Sequence, residues 1–215
     1  MSYSHVPHAL KADGSSWGWG MGQWCAIGDN ARIDRSSPSA VCGNHSFIQM
    51  QCGSNMALAL KANGEAWSWG YNSYGHLGTG NTVSYSSPVL VIGNHSFIQL
   101  CSSECGGAGL KANGEVWAWG YNAYGQVGDQ TTSHRSSPKL VVGGHSFVSL
   151  GISALDTFYA LKADGSAWAW GRGSLGEIGN GNAVNCYTPT AALGNHSFIE
   201  IAGGRNMAAA LKANG

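Results

Sequence analysis

Residues Met56 to Lys61 form a run of small and large apolar side chains ending in a lysine, and Glu65 to Trp69 form a second run in which tryptophan alternates with small residues. Asn63-Gly64 stands between them. Two short runs joined by this dipeptide predict a hairpin on a two-residue type I′ turn, with positive φ at both central residues. A Gly-punctuated loop, Gly70 to Gly78, follows. Beyond it, a polar stretch ends in Ser87-Pro88 and leads into Val89 to Ile92. The turn Gly93-Asn94-His95-Ser96 then leads into Phe97 to Leu100. Each apolar segment predicts a further short strand, so the unit holds four.

The pattern repeats. Leu-Lys-Ala-(Asn/Asp)-Gly begins at Leu10, Leu60, Leu110, Leu161 and Leu211, and His-Ser-Phe follows each of the first four leucines by 35 residues, at His45, His95, His145 and His196. The hairpin turn recurs as Asp13-Gly14, Asn113-Gly114 and Asp164-Gly165. Four short strands in a unit of about 50 residues is the blade pattern of a β-propeller. The fold class is therefore all-β: a propeller of about four four-stranded blades, closed as a small ring or completed by another chain. Residues 1–215 read as a single repeat domain, with units near 10–59, 60–109, 110–160 and 161–210 and a partial fifth at 211–215. The strand copy at Asn206 to Lys212 duplicates Ser4 to Lys11. One of the two is surplus in a closed monomer, and Pro7 marks the N-terminal copy as the weaker. Assembly between chains and membership of a longer propeller are the other ways to complete the ring.

Trp67 and Trp69 lie two apart on one strand and share a face, as do Trp17/Trp19, Trp117/Trp119 and Trp168/Trp170. These eight residues predict the structural core, a bulky face of each blade meeting a small-residue face of the next. Composition narrows the function. Only 10% of the 215 residues are charged, with 11 basic and 11 acidic side chains. That balance removes the basic footprint nucleic acid requires. No run is long and apolar enough for a membrane span, and the first residues lack signal-peptide regions. The six cysteines, Cys25, Cys42, Cys52, Cys101, Cys105 and Cys186, show no zinc spacing, although some could pair in a secreted protein. The sequons at Asn44, Asn94 and Asn195, with the low charge, suit an extracellular or surface location.

The hairpin Leu-Lys-Ala-Asp-Gly, Trp-x-Trp-Gly, Asn122 to Gly128 as Asn-x-Tyr-Gly-Gln-Val-Gly, and Ser-Ser-Pro together resemble the regulator of chromosome condensation repeat family. The resemblance covers nearly the whole chain. It implies a β-propeller, usually of seven blades, whose members include a nucleotide exchange factor for a small nuclear GTPase, an ultraviolet-B photoreceptor and many proteins without an assigned role. The photoreceptor's Gly-Trp-Arg-His-Thr motif does not occur here, and the chain has no insertion beyond one extra residue between His145 and Leu161. No functional residue carries over from either branch.

Candidate chemistry is sparse. His45, His95, His145 and His196 are symmetry-related, but each follows a Gly-Asn or Gly-Gly turn, so repeated loop chemistry accounts for them without a metal. Lys11, Lys61, Lys111, Lys162 and Lys212, near Glu65 and Glu115, read as a solvated rim. No Gly-x-Ser-x-Gly elbow or paired catalytic carboxylates appear, so no catalytic residue, metal or cofactor is expected and the chain does not read as an enzyme. Copies differ most in the loops Met21 to Arg35, Tyr71 to Tyr85 and Arg172 to Tyr187. Trp24, Tyr71, Tyr74, Tyr121, Tyr124, Arg172 and Tyr187 there are the candidate binding residues, although Tyr74 and Tyr124 also suit a buttressing role. The reading that follows is a non-catalytic scaffold for protein–protein interaction or self-assembly, its partner another protein or copies of itself through residues 206–212. A glycan-binding, lectin-like extracellular module is the alternative, and a GTPase regulator, by family analogy, the second.

Overall fold

The computed structural model describes residues 6–104, 106–151, 156–194, 196–204 and 207–213, and all regular structure among them is antiparallel strand. Three complete sheets have the same order of four strands. The first holds β4 (Gln49–Cys52), β5 (Met56–Leu60), β6 (Ala66–Gly70) and β7 (Tyr85–Leu90). The second holds β8 (Gln99–Ser103), β9 (Gly106–Leu110), β10 (Val116–Gly120) and β11 (Arg135–Leu140), and the third holds β12 (Ser149–Gly151), β13 (Thr157–Leu161), β14 (Ala167–Gly171) and β15 (Cys186–Ala191). They are flanked by a three-stranded sheet, β1 (His8–Leu10), β2 (Ser16–Gly20) and β3 (Arg35–Ala40), and a two-stranded one, β16 (Phe198–Gly203) and β17 (Ala208–Lys212).

These sheets are the blades of a propeller. The strands β4, β8, β12 and β16 lie side by side along the inner wall. A glutamine clamp joins neighbours there: the Gln49 amide donates to the Leu100 carbonyl at 3.0 Å and accepts from the Leu100 N–H at 2.9 Å, and Gln99 does the same to Leu150 at 2.9 Å each way. No strand pairing joins the two end sheets among the described residues, so the blades form an arc. Of the two duplicated terminal strands, β1 begins after Pro7 and β17 is exposed along its length; Ser4, His5 and Asn206 lie outside the described residues.

Three local expectations are corrected. The hairpin is not a type I′ turn: Gly64 has φ of +86°, but Asn63 is absent from the residues with positive φ. Gly64 N–H donates to the Lys61 carbonyl and Lys61 N–H to the Glu65 carbonyl, each at 2.9 Å, which makes a three-residue loop with Gly64 in the left-handed position. Asn63 holds its own conformation by accepting the Glu65 N–H at 3.1 Å. The third strand is not Val89 to Ile92 but Tyr85–Leu90, and Pro88 lies inside it; β7 is the outermost strand, with no neighbour to miss the proline's donor. The fourth is not Phe97 to Leu100 but Gln99–Ser103, because Phe97 leaves the strand to plug the space between blades, its N–H donating to the Gly64 carbonyl at 2.9 Å.

The tryptophan pairs divide their labour. Trp69, Trp119 and Trp170 are at most 1% exposed, whereas Trp17, Trp19, Trp67, Trp117 and Trp168 are half-buried. Each buried indole reaches into the preceding blade: Nε1 of Trp69 donates to the Ala26 carbonyl at 3.0 Å, Trp119 to His76 at 3.0 Å and Trp170 to Gln126 at 2.9 Å. Gly28, Gly78 and Gly128 lie flat beneath the rings, where an added Cβ would stand 2.6 to 3.0 Å from the indole. Phe47, Phe97 and Phe147 pack against the same rings at centroid distances of 6.0 to 6.2 Å. At the next such junction Glu177, Gly179 and Phe198 occupy the equivalent positions around a cavity of about 250 Å³, which Trp168, Ala209 and Ile201 also line.

The first tryptophan of each pair sits near the hairpin end under a lysine. The Nζ atoms of Lys11, Lys61, Lys111 and Lys162 lie 3.9 to 4.7 Å from the ring centroids of Trp17, Trp67, Trp117 and Trp168. Four of the five rim lysines are thus packed on aromatic faces rather than simply solvated, whereas Lys212 at the end of β17 is exposed.

Replacing Trp119 by Phe keeps the stacking but leaves the buried His76 carbonyl without its donor, and should cost about 2 kcal/mol in urea unfolding. Trp117→Phe, at a half-buried position beside water, should cost under about 1 kcal/mol.

Candidate functional site

Strand alternation places the turn at 61–65 and the segment 91–98 at one end of the propeller, and the loops at 53–55 and 71–84 at the other. The loop end carries the candidate residues. In the second and third blades a buried asparagine ties the long loop to itself: Asn72 Nδ2 donates to the carbonyls of Val83 at 2.8 Å and Asn81 at 3.1 Å, and Oδ1 accepts the Leu77 N–H at 2.9 Å. Asn122 repeats this with Ser133, Thr131 and Val127. In the first and fourth loops glycine takes the position and only the backbone bond common to all four loops remains: Gly22 and Gly173 donate their N–H groups to Asp34 at 2.9 Å and Asn185 at 3.1 Å, as Asn72 and Asn122 do to Ser84 and His134.

With the loops fixed, the aromatic side chains beside them meet across blade boundaries. Trp24 packs edge-on against Tyr71, centroids 5.1 Å apart, and Tyr71 and Tyr74 each lie 5.6 Å from His76. Tyr74 continues to Tyr121 at 5.3 Å and to His134 at 4.9 Å, and Tyr121 to Tyr124 at 6.1 Å. The Arg172 guanidinium lies 5.7 Å from the Tyr124 ring, and Tyr187 packs against Gly125 alongside. A single ridge of rings thus crosses from the first blade to the fourth. All seven residues singled out from the sequence stand on it or beside it, with Trp24, Tyr74 and Tyr187 exposed and the others half-buried.

Sequence reasoning did not single out His76 and His134, which complete the ridge. The available signal was variation between copies: His76 stands where the other blades have Ala26, Gln126 and Glu177. Burial pushes the His76 imidazole down to about 4, against an opposing pull from the Tyr71 carbonyl and with a smaller contribution from the His134 charge. Nearby, burial pushes the Asp156 carboxyl up, opposed by the Gln126 amide, which donates to it at 3.0 Å, and by Arg172.

The other motif residues hold structural places. His45, His95 and His145 lie 4.3 to 4.4 Å, centroid to centroid, from Trp67, Trp117 and Trp168. Cys25, Cys42, Cys52 and Cys186 are free thiols, Cys101 Sγ donates to the Gly151 carbonyl at 2.8 Å, and Cys105 lies outside the described residues. No group of three metal-ligating side chains comes together among the described residues.

The family model for the regulator of chromosome condensation (RCC1) repeat matches residues 13–60, 63–108, 113–153 and 164–211, and a second model of the same repeat matches 47–75 and 97–126. The chain belongs to the regulator of chromosome condensation repeat family. No curated protein matches it. Among solved structures, human WBSCR16 is similar at a TM-score of 0.82 with 22% identity, over 97% of this chain and 57% of that one. Yeast RCC1 (Prp20), in its complex with Kap60, is similar at a TM-score of 0.85 with 19% identity, over 99% of this chain and 53% of that one. The chain thus spans a little over half the length of these two proteins, which share its fold.

His76 stays neutral in the folded chain down to about pH 4, while the unfolded chain takes up the proton near 6.5. Stability contributed by the neutral ring is therefore present above pH 6.5 and lost as pH falls toward 4. His76→Gln, which copies the third blade, should lose about 2 kcal/mol less than the parent between pH 7 and pH 5, read by urea titration at the two pH values.

Proposed function

We propose that this chain is a non-catalytic propeller scaffold that binds another protein through the aromatic ridge of its loop end. The observation that carries the reading is the continuity of the ridge: rings from three successive blades and an arginine from the fourth form one rigid, partly exposed strip. Tyr, Trp and Arg on a rigid frame are the side chains that dominate protein interfaces, because they bury large area at little entropic cost. The yeast family member described in complex with Kap60, and studied for its binding to Gsp1p and histones, supports protein partners for this fold. Exchange activity on a GTPase has only that analogy behind it, and nucleotide-release assays test it. A glycan array tests the lectin alternative.

A photocrosslinking residue in place of Tyr74 should capture one protein species from the native source. The Tyr121→Ala variant should reduce that capture several-fold, and the same crosslinker at Ala112 on the hairpin end should give none of it. Equal capture at both ends would overturn the reading.

Self-assembly is a second reading, favoured by the cavity at the fourth junction. Glu177, Gly179 and Phe198 there reproduce the surroundings of three buried tryptophans, and β17 offers an unpaired edge. A second copy brings a matching strand, β2, whose Trp19 is half-buried. In this reading β17 of one copy displaces β1 of the next and seats Trp19 in the cavity. Light scattering of the 215-residue chain should then give a stable multiple of the monomer mass that Trp19→Ala reduces. A monomer mass at all concentrations removes the reading.

A further inference from the structure

A second feature of the loop end lies beneath the ridge and not along it. Between the loop at 53–55, the loop that begins at Tyr71, and Glu104 of the next blade there is a cavity of about 110 Å³. Its walls include Ser54, Asn55, Tyr71, Tyr74, His76 and Glu104. Three of the polar atoms on these residues, Ser54 Oγ, Asn55 Oδ1 and His76 Nε2, are buried without a hydrogen-bond partner. Ser54 and His76 are each only 4% exposed. Buried polar atoms without partners are rare in folded proteins, and their grouping around one cavity offers a polar guest several hydrogen-bonding groups at once.

The repeat supplies its own control. At the place of His76, Gln126 in the next blade is satisfied on both sides: its amide donates to Asp156 at 3.0 Å and its oxygen accepts the Tyr124 N–H at 2.9 Å. In the fourth blade Glu177 accepts the Leu175 N–H at 2.8 Å. The same backbone frame therefore gives the side chain at this place a partner in two blades and leaves His76 Nε2, on a residue that lines the cavity, without one among the described residues in the second.

The chemistry of the cavity is one-sided. His76 Nε2 has no partner among the described residues, and in the tautomer that carries its proton on Nδ1 it is a lone-pair acceptor. Asn55 Oδ1 is an acceptor, Ser54 Oγ accepts or donates, and Glu104 adds a carboxylate. Tyr71 and Tyr74 present ring walls, which favour a cation over an anion or a neutral group. The guest that fits brings several N–H donors on one positively charged centre, with a stem slim enough for this volume. Because burial keeps His76 uncharged near neutral pH, the imidazole does not repel it.

We propose that this cavity is a binding site for a primary ammonium or guanidinium group, presented as the lysine or arginine side chain of a protein docked on the ridge. The cationic chemistry stands on the cavity; that a protein carries it rests on the interaction reading above.

The test uses the full chain with ¹⁵N-labelled histidine and small probes. Nα-acetyl-lysine amide and Nα-acetyl-arginine amide are titrated against their neutral counterparts, the equally Nα-acetylated norleucine amide and citrulline amide, with butylammonium as the arm for a free amine. The expected result is a saturable shift of the His76 Nε2 resonance by one of the cationic amides, with the neutral amides weaker by at least about tenfold, or 1.4 kcal/mol. Asn55→Leu and the milder Ser54→Ala should each weaken it without moving the melting temperature by more than a few degrees. Absence of a saturable shift, an equal shift by norleucine amide, or retention in both variants overturns the site. Tighter binding of butylammonium than of lysine amide would reassign its source to a small amine. Amide binding without crosslinks at position 74 would keep the cavity and sink the ridge, and crosslinks without amide binding would do the reverse.

Discussion

The indole N–H of the second tryptophan in three of the four Trp-x-Trp-Gly strands, donated to a backbone carbonyl of the preceding blade, is the contact on which the rest of the arrangement depends. A four-stranded blade has two apolar faces and cannot bury either alone, so stability comes from stacking blade on blade. Burial area alone would allow the blades to slide. The bonds from Trp69, Trp119 and Trp170 to residues 43 or 44 positions earlier fix how far each blade is rotated on the last. They also demand a flat floor at Gly28, Gly78 and Gly128 and a wall at Phe47, Phe97 and Phe147.

That constraint explains where the molecule is free to vary. The acceptor carbonyls belong to Ala26, His76 and Gln126, and the indole bond itself uses only their backbones. Their side chains project toward the loop end, so changing them leaves the blade contact intact. In the same way Asn72 and Asn122 hold the long loops through buried amides, while Tyr71, Tyr74, Tyr121 and Tyr124 beside them are left to face outward or touch one another. The frame is repetitive and dry, and the display on it is irregular and aromatic. This division suits a scaffold that recognises a partner at one end and keeps its stability elsewhere.

Much of this was legible in the chain. Two motifs in one register defined the repeat, and the Trp-x-Trp spacing gave a shared face without any coordinates. The loop aromatics could be picked out because they differ between copies. Strand ends were harder to place. By sequence Pro88 ends the polar stretch before the third strand, yet it proved to lie within β7, because that strand is outermost and has no neighbour to serve. Asn63 and Gly64 suggested a two-residue turn, but the Asn63 carboxamide bonds locally to Glu65 and keeps a negative φ, shifting the loop by one residue.

The amino-acid sequence by itself determined the fold class, the period, the tight hairpins and which residues carry aromatic rings, because these follow from local chemistry repeated at fixed spacing. Only the tertiary structure decided which tryptophan of each pair is buried and which lies under a lysine, since that depends on which end of the strand faces the neighbouring blade. Only it joined Trp24, Tyr71, Tyr74, Tyr121 and Tyr124 into one ridge, and gathered Ser54, Asn55 and His76 around one cavity. Those residues lie on loops up to a hundred positions apart in the chain. Their proximity is set by the angle between blades, a property of long-range packing that no short stretch of sequence records.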